Sequence, residues 1–234
     1  MSRWRTRRII AGAAVLVVAG CGESRSASPP ARPADTAVAS RAVPPAGPAA
    51  DIPTVVFLGT SLTAGLGLDP DSAYPALVQR KIDSAGLHYR VVNAGESGES
   101  SAGALHRIDW ILREPPAVMV IETGANDGLR GQDPDSIRAN IHGIIERVRT
   151  RSPRTRILLA GMEAMPNLGK DYVRRFRAIY PAVARADSLP LIQFLLAGVA
   201  GVDSLNQQDG IHPNEAGARI VATTVWRSLA PLLR

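Results

Sequence analysis

The sequence predicts an α/β domain: a five-stranded parallel sheet held between two layers of helices, a three-layer α/β/α arrangement. Three observations carry this. From residue 53 onward, short apolar runs alternate with longer amphipathic ones. The longer runs repeat their apolar residues at helical spacing. The third short run, Ala117–Glu122, is nearly all apolar, as a central strand covered on both faces must be. Strands alternating with helices imply right-handed βαβ units.

Val55–Leu58 is four apolar residues running into Gly59-Thr60-Ser61, which reads as a buried strand ending in a sharp turn. Ser72–Ala85 reads as a helix through Tyr74, Leu77, Val78 and Ile82, with Gly86 just past its end. Tyr89–Asn93 is the second strand. Ser101–Leu112 is a helix stopped before Pro115-Pro116. After the central strand comes a helix over Asp135–Arg149, with Ile137, Ile141, Ile144, Ile145 and Val148 on one side and Asp133 or Asp135 as its cap. Arg156–Ala160 is the fourth strand. Lys170–Ala186 is a helix expected to break or kink near Pro181. Leu189–Phe194 is the fifth strand, and Glu215–Leu233 a closing helix that ends near Pro231. Periodicity does not fix the strand order; by analogy with flavodoxin-like sheets it is expected to be 2-1-3-4-5.

In a parallel sheet, the segments following the strands emerge at one edge, where open α/β folds place their ligands. Those segments are Gly59-Thr60-Ser61-Leu62, Asn93 to Ser100, Thr123 to Gly128 and Asp209 to Asn214. Four polar, glycine-containing stretches therefore converge. The segment after the fourth strand, Met162–Gly169, is the least polar and suits an apolar part of a substrate. The stretches at Leu66–Ala73 and Leu129–Asp133 are also expected to shape the pocket, and Tyr74 to pack the first long helix.

The convergent residues have a chemistry in common. A serine hydroxyl is a poor nucleophile until a base takes its proton. Ser61 is the candidate nucleophile, and His212 can be the base near neutral pH. Asp209 lies three residues before His212, a spacing that can bring a carboxylate to the other imidazole nitrogen. Gly98 offers an unobstructed backbone N–H, Asn126 an amide donor, and Ser61 its own N–H: three donors for the oxygen of a tetrahedral intermediate. Taken singly, Ser61 could be a cap, Asn126-Asp127-Gly128 a turn, Gly98 the relief of a tight bend and His212 a solvated side chain. Together, at the ends of the right strands, they favour catalysis. His88, His106 and His142 have no acid in a chemically suggestive loop nearby and read as structural.

At these residues the chain resembles the SGNH-hydrolase superfamily, the GDSL esterases and lipases, over the whole folded region. The likeness is nearest to bacterial periplasmic multifunctional acyl-CoA thioesterase/lysophospholipases and to arylesterases. It is carried by Leu58–Gly65, Tyr74–Leu77, Val91–Ala94, Asn126–Gly131, Ala178–Pro181 and Asp209–Asn214. The resemblance implies the SGNH fold, Ser61 as nucleophile, Asp209 and His212 completing the triad, and Ser61, Gly98 and Asn126 forming the oxyanion hole. It implies no metal and no cofactor. One position departs from the family pattern: the family's Gly-Asp-Ser-Leu is Gly59-Thr60-Ser61-Leu62 here, which removes a charge beside the nucleophile but not a member of the triad. Gly124-Ala125-Asn126-Asp127 replaces the common Gly-Gly-Asn-Asp. The expected activity is hydrolysis of small carboxylic esters and thioesters (aryl or acyl esters, acyl thioesters or lysophospholipids) through an acyl-enzyme. A carbohydrate O-acetylesterase on the same triad and a non-catalytic, lipid-anchored binding protein on the same scaffold remain the alternatives.

Charge and cysteine usage bound the rest. The formal charge of +6 includes Arg3, Arg5, Arg7 and Arg8, all within the first eight residues; without them it is +2. No basic stripe remains on the folded part, which argues against a nucleic-acid partner. Cys21 is the only cysteine, so an intramolecular disulfide, a multi-cysteine zinc site and a cysteine nucleophile within the fold are excluded. The arginines precede a twelve-residue apolar run, Ile9–Gly20, too short to span a bilayer and suited to a secretory signal. Val18-Ala19-Gly20-Cys21 resembles a bacterial lipobox, which implies lipidation of Cys21. An ordinary signal with an incidental cysteine, or an uncleaved anchor, is the other reading. Residues 1–20 are thus expected to be a signal peptide, 21–52 a disordered Ala/Pro-rich tether from the membrane, and 53–234 the hydrolase domain. Gly22 follows the cysteine where an aspartate would favour inner-membrane retention, so an outer-membrane anchor is expected if the source is Gram-negative.

Overall fold

The computed structural model describes residues 52–234. The expected signal peptide, Cys21 and nearly all of the tether lie outside the described residues. Five strands, β1 (Thr54–Gly59), β2 (Arg90–Gly95), β3 (Val118–Glu122), β4 (Arg156–Ala160) and β5 (Leu191–Ile192), form one parallel sheet in the order β2-β1-β3-β4-β5. That is the flavodoxin-like order. β3 is the middle strand and all five of its residues are buried. β2 lies at the edge, and none of its residues is fully buried. The register sets the edge on which the site is built. Gly59 pairs with Gly95, Leu58 with Ile121 and Glu122 with Ala160, so the carboxyl ends of four strands finish nearly level.

Helices flank the sheet. α2 (Tyr74–Ser84) packs against α7 (Glu215–Leu229), while α3 (Ser101–Ile111), α5 (Pro134–Arg151) and α6 (Lys170–Ala186) pack in series. The isoleucine stripe expected on α5 is fully buried, and Asp133 caps that helix by accepting from the Ser136 N–H at 3.0 Å.

Proline accounts for several differences from expectation. α2 begins at Tyr74 rather than Ser72, because Pro75 has no N–H and is accommodated only in a first turn. Pro70–Ser72 forms a separate 3₁₀ turn ahead of it. α6 runs unbroken through Pro181, contrary to the expected interruption. The closing helix ends at Leu229 and tightens into a 3₁₀ turn over Ala230–Leu233, which contains Pro231. β5 pairs over only two residues; Pro190 lacks the N–H that would extend the ladder backwards. Two short helices appear where turns are expected: α1 (Ser61–Ala64) and α4 (Ala125–Leu129). Both are too short to stand alone and are held by tertiary contacts.

Candidate active site

Ser61 is the first residue of α1, immediately beyond β1, and is buried. Position N1 leaves its backbone N–H without an intrahelical partner, free to bind an oxyanion. Its hydroxyl lies 2.8 Å from Nε2 of His212. On the far side of the ring, Nδ1 is 2.6 Å from Oδ2 of Asp209. An ionised carboxylate only accepts, so Nδ1 carries the proton, Nε2 is the bare nitrogen, and Ser61 Oγ–H donates to it. The three residues that the sequence pattern singles out are therefore brought into one hydrogen-bonded line.

The Asp209–His212 turn is built locally. Oδ1 of Asp209 accepts the N–H groups of Ile211 (2.9 Å) and His212 (3.0 Å), which fixes the carboxylate relative to the ring it serves. These backbone donors and the His212 side chain hold the Asp209 carboxyl down at about 2, from an ordinary 3.8. The turn is anchored on both sides. Gln207 N–H donates to the His212 carbonyl at 2.8 Å, and Asn214 caps α7 by accepting from Ala216 and Gly217.

The expected oxyanion donors sit on neighbouring segments that are tied together. Asn126, in the first turn of α4, gives one amide N–H to the Glu99 carbonyl at 2.9 Å and keeps the other. Gly98 has φ +80°, a left-handed conformation that a side chain would strain, and its carbonyl accepts from Arg130 at 3.0 Å. Among the described residues, the Gly98 N–H has no protein acceptor. Arg107 links this segment to the nucleophile strand: it pairs with the largely buried Glu99 at 2.5 Å and donates to the carbonyls of Ala94 (2.7 Å) and Gly59 (3.5 Å). Asp127 secures α4 by accepting from Ser101 N–H (2.8 Å) and Ser101 Oγ–H (2.7 Å).

Several of these supports are not singled out by the sequence pattern, and Glu122 is the most informative. It ends β3, is fully buried, and accepts Thr60 N–H at 2.7 Å, the Thr60 hydroxyl at 3.0 Å and the Thr63 hydroxyl at 2.9 Å. Burial pushes its carboxyl up from the ordinary value against the pull of these donors. Thr60 is the N-cap of α1, yet its side chain makes no cap bond because it is engaged by Glu122. A Cβ at Gly59 would lie 2.0 Å from Thr63 Oγ1 and 2.7 Å from Glu122 Oε2, so no larger residue fits there. The one signal in the sequence is a lone acid closing an otherwise apolar central strand.

His142 has a structural place, as expected, with a partner that its local sequence does not show: its Nδ1 lies 3.0 Å from the buried Asp187, which also binds Arg149 at 2.7 Å. His142 and the acid it meets are 45 positions apart, on α5 and just beyond α6. This cluster joins two helices and makes no contact with Ser61, His212 or Asp209.

A small apolar cleft opens beside Ser61 and His212, lined by Leu62, Leu66, Leu68, Leu196 and Val221. Leu66 and Leu68 come from the loop expected to shape the pocket. Leu196, beyond β5, lines the cleft, and no residue of Met162–Gly169 does. That loop instead turns over Pro166–Leu168 and forms a separate groove with Lys170, Val173, Arg174 and Arg177. Tyr74 lines the cleft and also packs edge-on to Phe57, with centroids 5.6 Å apart.

Residues 57–220 match the GDSL-like Lipase/Acylhydrolase family. The chain is 41% identical over 181 residues to the esterase TesA of Pseudomonas aeruginosa, covering 77% of this chain and 89% of that one. It is 34% identical over 186 residues to thioesterase 1/protease 1/lysophospholipase L1 of Escherichia coli K12, covering 79% and 87%. The crystal structure of the psychrotrophic esterase EstA from Pseudoalteromonas, inhibited by monoethylphosphonate, superposes with a TM-score of 0.73 at 29% identity, covering 77% of this chain and 98% of that one. The chain belongs to the GDSL-like lipase/acylhydrolase family and is a carboxylic ester hydrolase.

Proposed function

We propose that the protein hydrolyses acyl esters and acyl thioesters, lysophospholipids among them, through Ser61, His212 and Asp209. The unbroken line from Ser61 Oγ through the His212 ring to Asp209 carries this reading. Ser61 Oγ attacks the acyl carbonyl while His212 Nε2 takes its proton. The carbonyl oxygen, now negative, is received by the N–H groups of Ser61 and Gly98 and the free amide N–H of Asn126. His212 returns the proton to the leaving alcohol or thiol, and an acyl-serine remains. A water molecule deprotonated by His212 then attacks it, releasing the acid and restoring Ser61. Asp209 stays ionised throughout and holds the imidazolium in place. The leucine-lined cleft supports an apolar acyl chain as the substrate's other half.

The test is hydrolysis of p-nitrophenyl esters of two to sixteen carbons by the chain and its Ser61→Ala variant. The variant should lose on the order of 10⁴-fold or more in kcat. Activity should persist beyond acetyl; strict restriction to acetate would favour an O-acetylesterase. Equal rates in both proteins would remove Ser61 from the chemistry.

We infer, further, that Cys21 is lipidated and that the Ala/Pro-rich segment tethers the enzyme to the cell envelope, in the outer membrane if the source is Gram-negative. The lipobox-like Val18-Ala19-Gly20-Cys21 supports this. Incorporation of an alkyne-tagged fatty acid into the expressed chain, lost in Cys21→Ser, is the expected result; equal labelling of both would contradict it.

A further inference from the structure

Glu122 is a carboxyl close to the nucleophile that the hydrolytic scheme leaves unused. Its side chain leaves the end of the central strand and meets the turn that carries Ser61 without touching Ser61 itself. It engages the residue before the serine, Thr60, through both backbone and hydroxyl, and the residue two beyond it, Thr63, through the hydroxyl. The Thr63 oxygen is also 2.6 Å from the Tyr74 hydroxyl. Tyr74 belongs to α2 and rests on Phe57 of β1, so the chain of contacts closes on the strand that leads to the nucleophile. Gly59 leaves the room in which carboxyl and hydroxyls meet.

An apolar side chain at position 122 would be the cheaper way to fill a core, because a buried carboxyl is costly unless its partners are complete. It would also strand the buried Thr60 N–H and Thr60 hydroxyl, and leave the Thr63 hydroxyl only its contact with Tyr74. The contacts specify the orientation of one short helix, α1, and little else. Thr60, standing where the resembling family has aspartate, adds a hydroxyl donor to the carboxyl that an ionised aspartate could not supply.

We propose that Glu122 is a positioning residue for Ser61: by gripping Thr60 and Thr63 it sets the alignment of Ser61 Oγ with His212 Nε2, and therefore governs kcat rather than substrate binding. This rests on Ser61 being the nucleophile.

The experiment compares the full chain with its Glu122→Gln, Thr60→Val and Ser61→Ala variants. It measures kcat and KM for p-nitrophenyl butyrate, the rate of inactivation by a fluorophosphonate, and thermal melting. In Glu122→Gln, kcat should fall by about 10- to 100-fold, the scale on which small misplacements of reacting groups act, with KM within about twofold. Fluorophosphonate inactivation should slow in proportion. Thr60→Val keeps the carboxyl and loses one hydroxyl; its kcat should fall by about 3- to 10-fold with KM unchanged, one weakened hydrogen bond's worth. If Glu122→Gln does not fold, Thr60→Val decides the matter alone. A folded Glu122→Gln with wild-type kcat and inactivation rate, a rise in KM with kcat unchanged, or, where Glu122→Gln does not fold, an unaltered kcat in Thr60→Val overturns the proposal. Those results leave Ser61 as nucleophile intact. Hydrolysis that persists in Ser61→Ala overturns both.

Discussion

Asp209 and Glu122 are each linked to the Ser61 turn through another residue, His212 and Thr60 respectively, and their surroundings are opposite. Asp209 sits on a loop with its side chain 44% exposed; Glu122 is fully buried at the end of the central strand. Asp209 is held low, at about 2, by backbone N–H groups and His212, whereas burial pushes Glu122 up. The carboxylate that the proposed reaction keeps charged is stabilised by local donors. The carboxyl under the nucleophile turn is part of the core. On the proposed scheme, charge and geometry for the reaction come from different regions of the molecule: the loop before α7 and the middle of the sheet.

Effects on rate and effects on stability separate at these residues. Asp209→Asn leaves His212 without its ionised partner and favours the wrong tautomer, so kcat should fall by roughly 10³- to 10⁴-fold. Its melting temperature should fall only modestly at neutral pH, because the Asp209 side chain is 44% exposed and solvent screens what its charge contributes. Asn126→Ala removes one oxyanion donor and should cost about 10²- to 10³-fold in kcat with little change in KM. Steady-state kinetics and a thermal melt on each purified variant check both expectations.

Stability against pH sharpens the contrast. The folded-state pKa of Asp209 lies below its ordinary 3.8, so its contribution to stability is present above about pH 4 and is lost as pH falls towards 2. Glu122 has the reverse sign. Its folded-state pKa is raised above 4.5, so the folded protein holds a proton that the unfolded chain has released, and stability declines as pH rises from 4.5 towards the folded value. The neighbouring Tyr74 and Tyr180 are buried phenols pushed up in turn, and they stay neutral throughout that range. Denaturant titrations from pH 3 to 8 should show the decline in the parent and a flatter curve in Glu122→Gln.

The smallest effect on activity is expected at another buried carboxyl, Asp187, which binds Arg149 and His142 away from Ser61. Asp187→Ala should cost about 1–3 kcal/mol of stability, as for hydrogen bonds to charged groups, and leave kcat unchanged. Denaturant unfolding and steady-state kinetics on the variant read the two quantities separately. A drop in kcat there would mean that any buried carboxyl matters equally, and the distinction drawn for Glu122 would lose its basis.

The hydrogen-bonded line of Ser61, His212 and Asp209 is legible in the sequence because its members are polar residues beside glycines, in segments that follow the apolar strands. Strand β4 and helix α6 keep the expected bounds, since their patterns are long or sharply delimited. The supporting residues are harder to see. Glu122, Thr60, Thr63 and Tyr74 meet only when β1 and β3 pair and α2 folds over them; no local pattern marks that meeting. α4 reads as a turn through Asn126-Asp127-Gly128 and becomes a helix because Asp127 finds Ser101 on α3. His142 and Asp187 are likewise joined by tertiary packing alone. Spacing reveals groups that face a common edge; it does not reveal partners brought together through the core.

The most direct test of Ser61 as the nucleophile is to treat the protein with a fluorophosphonate and locate the adduct by peptide mass spectrometry. A single stoichiometric adduct on Ser61, formed in step with loss of ester hydrolysis and abolished in His212→Ala, is the predicted result. Complete loss of hydrolysis with the adduct on another residue, or full activity with Ser61 modified, would contradict it.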